Sequence, residues 1–241
     1  MEITFYPDRY VVDDLHVPEL HERLYCIFDL EGTGIHPDQD SITQFGAMDY
    51  KRGQTRNLTF SSLSRASKAI PEAVAKLTGI SNKDMITAPE FTEAFCAFTS
   101  FVGDKILVTH AGYEYDLPIL KRHCEQLGVT MFTNKVLDTK VMFTYIHPEV
   151  SEVISTDFLI QYYNINTDGI RRHDALADCG IIARILDQLL QEYDERGLDH
   201  FTADPTRFVR RFEIPEMYKI TPNGGMPNEQ NSGGEAPERI E

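Results

Sequence analysis

No stretch of the 241 residues approaches the roughly 18 consecutive apolar residues of a membrane span, so no membrane partner is expected. The chain opens Met1-Glu2-Ile3-Thr4, without the basic flank or small-residue cleavage site of a secretory leader, and a cytoplasmic location is the expectation. Cysteine is scarce. Cys26, Cys96, Cys124 and Cys179 are widely spaced and form no Cys-x-x-Cys pair, which argues against a zinc ribbon or a dithiol centre and for reduced, mostly buried thiols. Basic residues are also in short supply, 23 against 38 acidic ones, for a formal charge of −15. Such a balance excludes tight, nonspecific duplex binding through a broad basic surface. The acidic excess is uneven, with six acidic residues and two arginines in 1–24 and four acidic residues and one arginine in 221–241. No internal repeat is present.

What the sequence does hold is material for one sizeable core, at 41% hydrophobic residues. Residues 24–30, Leu-Tyr-Cys-Ile-Phe-Asp-Leu, form a nearly continuous apolar run ended by Gly32-Thr33-Gly34, the pattern of a strand covered on both faces. Two further strand-like stretches, 41–50 and 54–60, flank Lys51-Arg52-Gly53, which reads as a hairpin turn. Helical periods follow. Thr87 is a candidate cap for a helix burying Phe91, Phe95, Phe98 and Val102, with Pro89 in its first turn. Residues 104–110 read as a buried strand leading into a helix with Leu117, Leu120, Cys124 and Leu127 on its apolar side and Gly128 as its stop. Shorter helical patterns cover 136–145 and 156–163. A long helix is expected over 174–196, with Leu186, Leu189, Leu190 and Tyr193 facing inward and Gly197 ending it. Hairpins first and strand–helix alternation later imply an α/β domain with a mixed sheet. The expected organisation is an N-terminal extension (1–22) packed on the domain edge, a domain over 23–197, a C-terminal extension (198–220), and a disordered acidic tail over 221–241, where no apolar period remains.

Three segments carry chemistry. In Phe28-Asp29-Leu30-Glu31-Gly32, the two-residue strand period puts Asp29 and Glu31 on one side, and carboxylates that close call for a shared proton or a hard divalent cation. On its own the pattern is weak, since acidic residues beside glycine often simply end a strand. In His110-Ala111-Gly112-Tyr113-Glu114-Tyr115-Asp116, Asp116 sits where a buried strand passes into a helix, the place where α/β proteins bind ligands. The plainer role is a first-turn acid favoured by the helix dipole, and Glu114 is a competing ligand. In Arg171-Arg172-His173-Asp174-Ala175-Leu176-Ala177-Asp178, His173 and Asp178 cannot share a helix face at about 500° of rotation, so His173 belongs in the loop before the helix. From there an imidazole can take a proton from water while Asp178 holds a metal.

Taken together and in this order, Asp29-x-Glu31, His110 with Asp116, and His173-x-x-x-x-Asp178 resemble the three motifs of the DEDDh branch of the DnaQ-like 3′–5′ exonucleases. Ile70-Pro71, Thr78-Gly79-Ile80 and Leu137-Asp138-Thr139 are similar to that family as well. The sequence departs from it at Ala111, where the family often has Asn, at Tyr115, where it often has Phe, and at Gly32, where Thr is commoner. The resemblance implies a ribonuclease H-like fold with Asp29, Glu31, Asp116 and Asp178 holding two Mg²⁺ or Mn²⁺ ions and His173 as general base. It implies hydrolysis of single-stranded DNA or RNA from 3′ ends to nucleoside 5′-monophosphates, DNA being favoured. Leu30, Gly32, Thr33, His110, Tyr115 and Arg172, with Arg171 beside it, become candidate substrate contacts. Two alternatives stay open: an RNA-trimming or oligonucleotide-degrading exoribonuclease, and a polymerase-associated proofreading or binding subunit that uses the C-terminal tail as a tether.

Overall fold

A computed structural model describes residues 1–54 and 58–212. Strands β1 (Glu2–Phe5), β2 (Arg9–Asp13) and β3 (His16–Val17) precede the central strands β4 (Tyr25–Gly32), β5 (Ile42–Tyr50) and β6 (Thr59–Leu63). Helices α1 (Glu72–Thr78) and α2 (Phe91–Val102) lead to β7 (Ile106–Thr109), α3 (Asp116–Leu127), β8 (Val136–Asp138), α4 (Thr139–Ile146), α5 (Thr156–Tyr162) and α6 (Ala175–Glu195). Strands β9 (Phe201–Thr202) and β10 (Val209–Arg210) close the described chain.

The main sheet runs β6-β5-β4-β7-β8. Its first three strands are antiparallel, whereas β7 lies parallel to β4, and β8 to β7. This is the expected mixed α/β sheet, with β4 at its centre. Seven of the eight residues of β4 are buried, as its apolar run requires. Phe28, Phe45, Phe95 and Phe98 form a ring cluster between the sheet and α2, with centroids 5.3–6.5 Å apart. On α6, Leu186, Leu189, Leu190 and Tyr193 are all buried, and their spacing gives one continuous apolar stripe.

Several local expectations are corrected. Residues 136–145 are not one helix, because Val136–Asp138 pairs with β7 as an edge strand and the helix begins only at Thr139, capped by the Asp138 side chain. Three apolar-to-polar residues beside a strand edge can satisfy their backbone there, which a helical period cannot reveal. The strand expected at 54–60 lies at Thr59–Leu63, and residues 55–57 fall outside the described residues. Thr87 does not cap α2; it ends a 3-10 turn over Asp84–Ile86, and Glu90 is the residue before the helix. Leu127 is exposed rather than part of the inner face of α3. Three of the four cysteines are buried and Cys96 is exposed, none in a disulfide.

The segments outside the central unit find each other. β1-β2-β10 form a second small sheet and β3-β9 a third. Tyr10, Val12, Leu15, Val17, Leu20, Phe201 and Val209 belong to the same hydrophobic core as the main sheet. The tail expected to be disordered, 221–241, lies outside the described residues. No helix among the described residues is long and apolar enough to cross a membrane.

Candidate active site

Asp29, Leu30, Glu31, His110, Thr156, Arg172, His173, Asp178 and Ile182 line a cleft of about 180 Å³ at the ends of β4 and β7. Asp29 and Glu31 come from β4, which shifts register against β5 immediately after Glu31, where Gly32 pairs with Ile42. That bulge ends the regular ladder at the cleft.

Asp116 is the first residue of α3, where the helix dipole favours a carboxylate. Its Oδ2 accepts a 2.6 Å hydrogen bond from the Thr109 hydroxyl at the end of β7. Gly112 allows this packing, since a methyl group there would stand 2.4 Å from the Thr109 side chain and 2.7 Å from the Asp116 carboxylate. Asp138 fixes the rest of the connecting loop by accepting from the backbone N–H groups of Ala111, Tyr113 and Lys140. Burial pushes Asp138 up to about 6, against those three backbone bonds.

His173 lies in the loop before α6, as expected, with a left-handed backbone at φ 60°. A non-glycine residue is held there only by its surroundings. One holding contact is visible: the His173 N–H donates to Asp178 Oδ2 at 2.8 Å. Asp174 caps α6 through Ala177 N–H, and Asp178 follows in the first turn.

Two positions that the motifs do not name bring α6 to the sheet. Gly46 faces Asp29 across the β4–β5 ladder, and a methyl group on it would lie 2.3 Å from the Ala175 carbonyl carbon. Gln44, opposite Glu31, accepts from the Ala175 N–H at 3.2 Å. The glycine inside an otherwise apolar strand is the signal that could have found this contact. Ile182, one turn beyond Asp178 on α6, could have been read from its four-residue spacing; nothing local marks Thr156.

Glu31, His173 and Asp178 offer ligand atoms that all lie within 4.8 Å of one another. Burial, followed by the Asp116, Glu31 and Asp178 carboxylates, drives Asp29 well above the usual carboxylate range. Glu31 is pushed up to about 8 by burial and then by Asp178 and Asp116. Burial pushes Asp116 up to about 7, with the Thr109 hydrogen bond pulling the other way. Crowded, desolvated oxygen donors of this kind fit hard divalent cations, whose charge relieves both the burial and the repulsion.

The remaining candidates divide. Leu30, His110 and Arg172 line the cleft, and burial holds His110 down to about 3, so its imidazole is neutral. Thr33 is turned away from it: its hydroxyl donates to Asp40 Oδ1 and accepts from Ser41 N–H. The Tyr115 hydroxyl donates to the Gly34 carbonyl at 2.7 Å, and a methyl group at Gly32 would strike that hydroxyl. Arg171 is exposed with its guanidinium packed on Gly79. Glu114 is no competing ligand, because it forms a buried ion pair with Lys140 on the far side of the loop.

Residues 26–186 match the family model described as Exonuclease (RNase_T). The chain belongs to this exonuclease family. The expectation of an exonuclease, a phosphodiester hydrolase, is met by the family, and that of a mixed α/β sheet flanked by helices by the fold. Among curated proteins, the PolC-type DNA polymerase III of Staphylococcus saprophyticus is 28% identical over 180 residues, 75% of this chain but only 12% of the polymerase. The chain thus corresponds to a small part of that relative. The nuclease domain of 3′hExo, a DEDDh family member solved with rAMP, superposes with a TM-score of 0.62 at 20% identity, covering 71% of this chain and 94% of that one. Escherichia coli exonuclease I, solved with a dA16 oligonucleotide, gives 0.55 at 17% identity over 74% of this chain and 42% of that one.

Proposed function

We propose that the exonuclease family chain removes nucleotides from the 3′ ends of single-stranded nucleic acid, DNA favoured, releasing nucleoside 5′-monophosphates. The observation that carries this reading is the convergence of Asp29, Glu31 and Asp178 with His173 on one cleft, while the carboxylate of Asp116 acts electrostatically on Asp29. In this reading Asp29, Glu31, Asp116 and Asp178 would hold two Mg²⁺ or Mn²⁺ ions. Bound divalent ions of this kind polarise a phosphodiester and make water more acidic. His173, steadied by its N–H bond to Asp178, takes the proton of the attacking water. The departing 3′ oxygen gains its proton from solvent.

The neutral His110 offers a hydrogen bond without a charge, Leu30 supplies an apolar wall, and Arg172 faces phosphate. The backbone of Gly32 and Thr33 receives the terminal nucleotide, on a loop that Tyr115 pins. The polymerase relative and the dA16-bound exonuclease favour DNA and a polymerase context; the rAMP-bound neighbour favours RNA as the alternative.

Digestion of matched 5′-labelled DNA and RNA single strands with Mg²⁺ or Mn²⁺ tests this reading. Stepwise shortening from the 3′ end, lost in His173→Ala, Asp178→Ala and excess chelator, is expected. Degradation of neither polymer would overturn it, and faster RNA digestion would select the alternative. A partner captured by the full chain and not by residues 1–220 would place a polymerase or other protein on the tail.

A further inference from the structure

Arg172 bridges two carboxylates of opposite setting. Its Nε donates to Asp178 Oδ1 at 2.9 Å in the cleft, and its Nη1 donates to Asp157 Oδ1 at 2.6 Å, in the first turn of α5. The Asp178 side chain is 12% exposed and that of Asp157 is 74% exposed. The other oxygen of Asp178 already accepts from His173 N–H. Both oxygens of one proposed metal ligand are therefore engaged, one of them by a full positive charge. The neighbouring cations are committed elsewhere, Lys140 to Glu114 and Arg171 to the surface at Gly79. Arg172 lines the same cleft as Asp29 and Glu31.

We propose that Arg172 is a tethered competitor that sets how tightly the carboxylate cluster holds divalent cations, and that Asp157 tunes it by drawing the guanidinium toward solvent. The inference rests on the metal-dependent exonuclease reading. A fixed positive charge at ion-pair distance from a ligand repels an incoming divalent ion twice as strongly as it would a monovalent one. It also occupies a lone-pair direction on Asp178 Oδ1. The benefit is an Asp178 carboxylate held in one orientation before a metal arrives, at the cost of metal affinity. The two carboxylate bonds leave three of the five guanidinium N–H groups for a phosphate, so release of the metal and of the cut strand can be linked through one side chain.

Calorimetric titration of Mn²⁺ into the full chain, without nucleic acid and at fixed pH and ionic strength, reads the affinity directly. Arg172→Gln is expected to tighten binding roughly tenfold or more, and Arg172→Lys, which keeps the charge, to stay within about threefold. Asp157→Asn, at an exposed position, is expected to weaken binding about threefold, with at least half of that effect lost in the Arg172→Gln background. Unchanged or weaker binding in Arg172→Gln, or a full Asp157→Asn effect without the arginine, overturns the proposal. Thermal unfolding of each variant shows that it is folded. Wild-type chain that neither binds Mn²⁺ nor degrades nucleic acid removes the exonuclease reading as well; wild-type binding and digestion with no arginine effect removes this inference alone.

Discussion

A methyl group on residue 46 would stand inside the backbone of α6, and α6 carries Asp178. Gly46→Ala must therefore push the helix N-terminus off the sheet beside Asp29. Overpacking of a tight contact costs about 1–3 kcal/mol, and carboxylates displaced by about an ångström lose about 100-fold in rate. Calorimetry and a single-strand digestion assay on Gly46→Ala should show both losses, and retention of wild-type rates would mean that the helix is not positioned by this contact. Of the three departures from the family pattern, Gly32 and Tyr115 fit each other, since the Tyr115 hydroxyl fills the space that a side chain at Gly32 would take. Ala111 sits at φ 57°, in the left-handed region that disfavours a β-carbon, held there by its N–H bond to Asp138. Ala111→Gly is expected to stabilise the chain by about 1 kcal/mol, seen as a rise of roughly 2–4 °C in Tm. Tyr115 uses its additional hydroxyl to hold the Gly34 carbonyl; Tyr115→Phe should cost about 1 kcal/mol and leave the chemical step within a few-fold of wild type.

Among the elements, the segment 110–116 is held from both sides. On the cleft side Thr109 and Asp138 secure it, and on the other side Glu114 pairs with the fully buried Lys140 at 2.5 Å. Phe212 lies 4.0 Å above the Lys140 ammonium and its N–H donates to Glu114 Oε2. Burial pulls the Lys140 pKa down while Glu114 pulls it up. Breaking such a pair from one side strands a buried charge, so Lys140→Met or Glu114→Gln alone should cost about 3–5 kcal/mol, whereas Lys140→Met with Glu114→Leu should cost less than the sum. A denaturant double-mutant cycle gives the coupling, and strict additivity would show the pair to be independent. The sequence could not reveal this pair. Glu114 lies within a motif and invites a role in it, whereas its partner is 26 residues away on α4 and is chosen by how two loops stack. The motifs themselves were legible because each is local: strand period for Asp29 and Glu31, a strand-to-helix junction for Asp116, a cap and a turn count for His173 and Asp178. Strand order was legible only in outline, since β8 is too short to announce itself and takes its identity from β7.

At the scale of the whole molecule, the carboxylate cluster makes stability depend on pH in an unusual direction. Glu31 and Asp116 hold protons in the folded chain up to about pH 8 and 7. Unfolded, they release them near 4. Between those limits the folded state binds more protons than the unfolded one, so the stability of metal-free protein falls as pH rises from about 4 to about 8 and levels off above it. The protons belong to the cluster jointly. Calorimetry in excess chelator should show this slope, Glu31→Gln should flatten it, and Mn²⁺ should raise Tm more at pH 8 than at pH 6. A stability that climbs through the same window would contradict the cluster's burial. The segments before β4 and after α6, proposed here as extensions to a central unit, share its core and lend it β1-β2-β10.

That small sheet also has a mechanical side. β10 is joined to β2 by only two residue pairs, Val209 with Tyr10 and Arg210 with Arg9, whereas β4 and β5 share eight. Tension applied to the chain beyond Phe212 meets an antiparallel ladder end-on and opens it like a zipper, one bond at a time. Before the ladder itself yields, Phe212 and its grip on Glu114 and Lys140 come away. A modest pull from that side therefore reaches the loop of His110 and Asp116 while the main sheet is still unloaded.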